Sequence, residues 1–297
     1  MTTFTRGQTN RDLFPHAEMI YGDRDGGLDV LRGREWDAVI DTCAYYPRVV
    51  EQSVSLLRES APFYVFVSSV SAYADLSKPP TEDSPTFELP EDATESLDFY
   101  GPLKAECERV VMRTYGNAAA IVRPGLIVGP HDPTGRFTYW PHRLARGGDV
   151  LAPGPPANPV QVIDGRDLGA WLVTLCENRT GGTFNAVTPQ FTMESFLTTT
   201  RDAVNRDARL VWVDARFLLD HGVDEWMELP LWVVDSEMAG LLEADPSRAI
   251  AAGLTFRPLE DTVRGALDEA ELTDAAGMKQ EREAELLEEW ASLASGA

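Results

Sequence analysis

The sequence predicts an α/β protein built on a doubly wound parallel sheet, with a smaller C-terminal lobe. Three observations predict it. Short apolar stretches alternate with helical ones through the first half of the chain, the pattern of a parallel sheet with helices on both faces. Phe63-Tyr-Val-Phe-Val67 is an all-apolar run fit for a strand buried on both faces, and it leads into Ser68-Ser69-Val70-Ser71. Further along, Tyr100 and Lys104 stand one helical turn apart at the head of a stretch with Leu103, Cys107, Val110 and Val111 at helical spacing.

In chain order, strands are predicted at 2–5, 17–21, 38–43, 63–68 and 118–122, with helices over 47–59 and 100–115. The second half is less regular. It offers helices over 137–146, 166–177 (Leu168, Leu172 and Leu175 on one face) and 193–204, and strands at 160–163, 183–187 and 209–213. Pro153-Gly-Pro-Pro-Ala-Asn-Pro159 is a loop, and the acidic, Pro-rich stretch 78–98 reads as a surface loop. The chain closes on an acidic amphipathic helix, 281–293, whose Leu286, Leu287, Trp290 and Leu293 are expected to pack on the body. There are no internal repeats. The 297 residues suffice for one large domain or a domain with a smaller lobe.

Charge narrows the function. The formal net charge is −22, which argues against nucleic acid, because phosphate neutralisation needs Lys and Arg. No run of 18 apolar residues suggests a membrane span, and the first residues lack a signal-peptide core, so a cytoplasmic protein is expected. Cys43, Cys107 and Cys176 are far apart and read as small buried residues in a reducing compartment. His16, His131, His142 and His221 show no metal-ligand spacing, and no metal is expected.

Ser, Tyr and Lys in this arrangement form a proton-transfer device. A phenol is a poor acid or base at neutral pH, and an ammonium one turn away favours the phenolate and lowers its pKa. A serine hydroxyl can then hold the substrate oxygen while the tyrosine moves the proton. The bland alternative is a helix start with a surface lysine. The strand, the serine cluster and the scarcity of lysine (only Lys78, Lys104 and Lys279) weigh against it.

At this point the chain resembles the extended short-chain dehydrogenase/reductase family, the NAD-dependent epimerase/dehydratases, over nearly its whole length. The resemblance rests on Ser68-Ser-Val-Ser-Ala-Tyr73, Tyr100-Gly-Pro-Leu-Lys104, Arg123-Pro-Gly-Leu-Ile-Val-Gly-Pro130, Val162-Ile-Asp-Gly-Arg-Asp-Leu168 and Gly253-Leu-Thr-Phe-Arg-Pro-Leu259. The segment 131–140 looks like a reductase-like branch rather than a sugar epimerase. The resemblance implies a Rossmann-like NAD(P)-binding domain over 1–130 and a mixed substrate-binding lobe with returning Rossmann elements over 131–297. It implies Ser69 as the catalytic serine, with Ser71 as runner-up, Tyr100 as acid/base, and Lys104 lowering the Tyr100 pKa and holding the nicotinamide ribose. Arg6 falls where the family reads the ribose, and an arginine there favours NADP over NAD. A solvated loop arginine is the alternative. Asp23 would contact the adenine, or be a turn aspartate. Thr42, Cys43 and Ala44 would line the cofactor, or simply pack. Pro124 would line the nicotinamide, and His131, Arg136 and Tyr139 would face a small-molecule substrate. A homodimer is an option among relatives.

One departure is large. The family opens with a strand, a glycine-rich turn and a helix that cradle the pyrophosphate. Gly22, Gly26 and Gly27 stand among Asp23, Arg24 and Asp25, the wrong chemistry for that role. With the ribose reader at Arg6, the glycines would fall before Met1. The expectation is therefore a chain lacking its first β-α unit, through a misassigned start, a real truncation or a decayed, non-catalytic protein. The missing strand would be central, leaving neighbouring strand edges unpaired.

Overall fold

The structure, a computed structural model, describes residues 1–9, 13–269 and 275–295. Its elements in chain order begin with β1 (Thr2–Thr5), β2 (Glu18–Tyr21), β3 (Val39–Asp41), α1 (Pro47–Leu57), β4 (Tyr64–Val67), α2 (Tyr100–Tyr115) and β5 (Ala119–Pro124). There follow β6 (Leu126–Val128), α3 (Tyr139–Ala145), β7 (Asp149–Pro153), β8 (Pro159–Val160), β9 (Val162–Asp164), α4 (Gly165–Asn178) and β10 (Gly182–Ala186). The chain ends with β11 (Phe191–Thr192), α5 (Met193–Val204), β12 (Arg209–Val213), α6 (Ala215–Asp220), α7 (Ser247–Ala251), α8 (Leu259–Glu269) and α9 (Gln280–Ser295). Two compact units emerge, the first Met1–Ala74, Ser84–Arg123 and Leu172–Phe184, the second Asp75–Asp83, Pro124–Trp171 and Asn185–Ala297.

The first unit carries a sheet in the order β10-β5-β4-β3, parallel from β5 through β4 to β3, with Tyr64 opposite Ala119 and Val39 opposite Tyr64. β4 is buried along its whole length, as its unbroken apolar run requires. α1 starts with Pro47 in its first turn, where a missing N–H costs nothing, and buries Val49, Val50, Val54 and Leu57. Val50, Val54, Phe66, Cys107, Val111 and Ile121 form one core, each fully buried apolar side chain contributing roughly 1.5–3 kcal/mol. Gly116, with φ +52°, ends α2 at a conformation glycine adopts without strain.

β1 and β2 form a separate parallel pair, with Thr2 opposite Glu18. Phe4 and Ile20 from that pair pack on Leu28, Leu31, Leu57 and Ala61. Among the described residues, β1 pairs only with β2, and β3 only with β4. One edge of each is therefore bare.

The second unit is organised around Phe137, Trp140, Leu144, Leu151, Phe196 and Trp232, all fully buried. Both indoles are satisfied there: Trp140 Nε1 donates to the Pro230 carbonyl at 2.7 Å and Trp232 Nε1 to that of Gly154 at 2.9 Å. β6 pairs with β9 and β7 with β12 in parallel, while β8 and β11 are antiparallel. α9 joins this core through Leu286, with Leu287 and Trp290 partly buried, and through Glu283, whose carboxylate takes the Arg143 guanidinium at 2.5 Å and the Leu151 amide at 3.0 Å. Leu293 is exposed, so the packing face ends before it.

Two expectations need correction. The stretch 78–98 is not wholly a surface loop: Glu82 is buried and accepts the Asn185 amide at 3.0 Å, and Gly240 lies backbone-to-backbone on the Lys78 carbonyl. Cys43 is exposed rather than buried, because β3 ends at Asp41 and leaves it on the following loop.

Candidate active site

β4 delivers Ser68 and Ser69 at its C-terminal end, and a single 3-10 turn, Val70–Ala72, carries the chain away. Ser69 caps that turn, its Oγ accepting the Ser71 amide at 3.1 Å. α2 starts at Tyr100, directly after a second short turn capped by Ser96. The two pieces meet through glycine. A β-carbon at Gly101 would stand 2.3 Å from the Ser71 carbonyl oxygen and 3.2 Å from the Phe87 ring, so the first turn of α2 rests on the serine turn with no side chain between them.

This contact brings Tyr100 to Ser69. The phenol is largely buried, and burial pushes its pKa up, while a hydrogen bond with the Ser69 hydroxyl pulls it back and the neighbouring Tyr45 phenol adds to the rise. The Tyr45 ring lies 6.3 Å from that of Tyr100. Sequence reasoning expects Lys104 to lower the Tyr100 pKa. Ser69 is the group that lowers it, and desolvation prevails.

Lys104 is 3% exposed. Its Nζ donates to the Ala44 carbonyl at 2.9 Å and the Val67 carbonyl at 2.7 Å, tying the ends of β3 and β4 together. It sits 4.6 Å from the Phe66 ring centroid and 5.6 Å from that of Tyr45. Burial lowers its pKa to about 8, partly offset by Cys107, Asp41 and Glu108. An ammonium has three donors, and two are accounted for.

Toward the other edge of the first unit, Arg6 is exposed after β1. Asp23 is exposed and makes a turn, its carboxylate accepting the Asp25 amide at 2.9 Å and its carbonyl the Gly27 amide at 2.9 Å. The residue sequence reasoning passed over is its neighbour. Arg24 grips Asp41 with both nitrogens, at 2.7 and 2.8 Å, and its Nη1 reaches the Cys43 sulfur at 3.4 Å. Asp41 also accepts the Tyr64 hydroxyl at 2.7 Å. Burial alone would raise the Asp41 pKa, but Arg24 beside it holds the carboxyl below its ordinary value. Thr42 and Cys43 are exposed on this loop, and Ala44 is buried.

Pro124 is buried at the end of β5. In the second unit, His131 is exposed with φ +63°, its Nε2 3.7 Å from Glu269. The Arg136 guanidinium lies 5.6 Å from the Trp226 ring, with its Nε buried and without a hydrogen-bond partner. Tyr139 is buried against Trp140 and Gly277, and the Met278 backbone hydrogen-bonds its hydroxyl. The structure thus gathers Ser69, Tyr100, Lys104 and Ala44. It places Arg6 and Asp23 elsewhere in the same unit, and His131 and Arg136 in the other.

Sequence reasoning also missed Glu108 and Arg123. Both are buried, and they pair at 2.6 Å. The available signals were an acid at helical spacing from Tyr100 and Lys104, and an arginine closing the buried strand Ala119–Pro124.

The fold, an α/β arrangement around a parallel sheet, is shared with the solved structures that follow. Among solved structures the chain is similar to UDP-glucuronic acid 4-epimerase from Bacillus cereus in complex with NAD (14% identity, 90% of this chain and 89% of that one, TM-score 0.61). It is similar also to the enzyme WbmH of Bordetella bronchiseptica in complex with NAD+ (15%, 92% and 90%, 0.63). A third, dTDP-4-dehydrorhamnose reductase from Yersinia enterocolitica, aligns over 72% of this chain and 84% of its own, at 14% identity and a TM-score of 0.52. No family model and no curated protein sequence matches the chain. Among the described residues, no helix is long and apolar enough to cross a membrane.

Proposed function

We propose that the chain is an NAD(P)-dependent oxidoreductase or epimerase acting on a carbonyl or alcohol of a small or sugar-like substrate. The observation that supports this reading is the close packing of the first turn of α2, which bears Tyr100, on the serine turn, with Lys104 buried at the ends of β3 and β4. Ends of parallel strands are where α/β sheets bind their ligands.

The residues fit a dinucleotide at one end. The third donor of Lys104 is suited to a ribose hydroxyl, and Ala44 is small enough for close approach. At the pyrophosphate end they do not fit: the described residues offer no glycine-rich turn, and Asp23 and Asp25 put negative charge near those glycines that are present. When bound, the nicotinamide supplies hydride transfer. Ser69 would orient the substrate oxygen and Tyr100 would give or take its proton. A phenol raised above its ordinary pKa is by default the acid of such a pair. In this reading Arg6 selects NADP, with NAD as the alternative, and His131 and Arg136 are the substrate-side residues. The protein would be cytoplasmic, and a homodimer belongs to the same proposal.

A second reading, a Rossmann-like binding or scaffold protein without turnover, is favoured by the bare edges of β1 and β3 among the described residues. Titration with NADPH and NADH separates the two. Saturable binding, retained in Tyr100→Phe while turnover falls roughly 10²–10⁴-fold, supports the enzyme. Failure to bind either nucleotide rejects it.

A further inference from the structure

The turn that carries Ser69 is held at both ends by one buried ion pair. At its start, Ser68 Oγ donates to Glu108 Oε1 at 2.5 Å. At its finish, Arg123 hydrogen-bonds the side chain of Tyr73 and lies 4.6 Å from the centroid of its ring. Glu108 and Arg123 are themselves joined by two parallel bonds, Nε to Oε1 at 2.9 Å and Nη2 to Oε2 at 2.6 Å. All four side chains are buried, Glu108 6% and Arg123 5% exposed.

Within the turn, three amides are bonded locally: Ser71 to Ser69 Oγ, Ala72 to the Ser69 carbonyl and Tyr73 to the Val70 carbonyl, at 3.1, 3.1 and 3.2 Å. A short 3-10 turn has few bonds and poor geometry, so on its own it frays. A bidentate carboxylate–guanidinium pair is the opposite kind of object, directional and strong, yet it gains little net stability when buried. An apolar pair of similar volume would serve packing as well or better. The pair's geometry, reaching the residue before Ser69 and the residue that closes the turn, is what an apolar pair could not supply.

We infer that Glu108 and Arg123 are positioning residues, a clamp on the two ends of the serine turn that fixes where Ser69 stands. The inference rests on Ser69 and Tyr100 acting together as proposed above, and the clamp itself can be tested without turnover.

Removing one partner strands a buried charge and invites unfolding, so the informative variant replaces both, Glu108→Leu with Arg123→Met. It is expected to fold, with the amides of β4 and β5 exchanging at the native rate. The amides of Ser71, Ala72 and Tyr73 are expected to exchange at least about tenfold faster, the scale of one lost hydrogen bond to a charged group. Ser68→Ala, which frees only one end, should fall between. In the same samples, a carbon-13 label on the tyrosine ring reports the Tyr100 titration, and its midpoint should move up in the double variant as it does in Ser69→Ala. Native exchange rates in the turn would overturn the clamp. Faster exchange with an unmoved Tyr100, in a protein where Ser69→Ala does move it, would reduce the pair to a structural role and equally overturn the inference. If Ser69→Ala leaves Tyr100 unmoved, the proposed coupling of Ser69 to Tyr100 fails, and the turn amides alone decide the clamp.

Discussion

The two ends of the first unit are built differently. At the serine turn, backbone lies on backbone at Gly101, Lys104 closes the ends of β3 and β4, and an ion pair lies beneath. At the β1–β2 end, a two-stranded ribbon of half-exposed residues stands beside a sheet that begins at β3, and the bond Arg24 makes to Asp41 joins the segment after β2 to the end of β3. The difference teaches that one unit can be closely packed at one end while the strands at its other end are held by a few polar contacts.

The sharpest way to break the comparison is at Asp41. Asp41→Ala leaves Arg24 and the Tyr64 hydroxyl without their acceptor and should cost about 3 kcal/mol, measured by urea unfolding. Because its folded pKa lies below the unfolded one, this contribution is present above the ordinary carboxylate range and is lost as pH falls through the folded value. The native protein should therefore lose its advantage over Asp41→Asn in acid, and an advantage that persisted there would contradict the pairing.

Gly101→Ala tests the opposite end. The added carbon meets a carbonyl oxygen, not a flexible tip, so α2 must shift, at about 2 kcal/mol. The Tyr100 titration should move with it. A stable variant with native Tyr100 behaviour would show that the contact is loose.

Lys104 gives a smaller effect, with the same pH sign as Asp41 but in an alkaline window. Between about 8 and the ordinary lysine range the unfolded chain holds a proton that the folded chain has released. The native protein should therefore gain stability on Lys104→Met as pH rises through that window, by on the order of 2 kcal/mol. A flat difference between pH 7.5 and 10 would mean that Lys104 is better solvated than its two carbonyl bonds indicate. The smallest effect is expected from Arg48→Ala. Its bonds to Asp25 and Glu95 are exposed, and the melting temperature at physiological salt should not change measurably.

Much of this was legible before any coordinates. The helix over Tyr100–Tyr115 and the strand Thr2–Thr5 fall where periodicity put them, and the alternation of strands and helices gave a parallel sheet. What stayed hidden was pairing over distance. Nothing local tells that Arg24 finds Asp41, that Arg123 finds Glu108, or that β7 pairs with β12 across 60 residues. The surroundings of Tyr139 were hidden for the same reason: its place against Gly277 and Met278 depends on a segment far along the chain. Cys43 was misjudged because strand length, not residue type, decides which residues at a strand's end are covered.

Scarcity of lysine has a practical consequence for protein chemists. Lys78 and Lys279 are exposed and Lys104 is enclosed, so an amine-directed reagent meets two open side chains and one guarded one. With a pKa near 8, the guarded amine is largely in its nucleophilic form at mildly alkaline pH and lacks only access. Its slow acylation, read as a single mass increment on one peptide, becomes a clock for how often the loops around Ala44 and Val67 part.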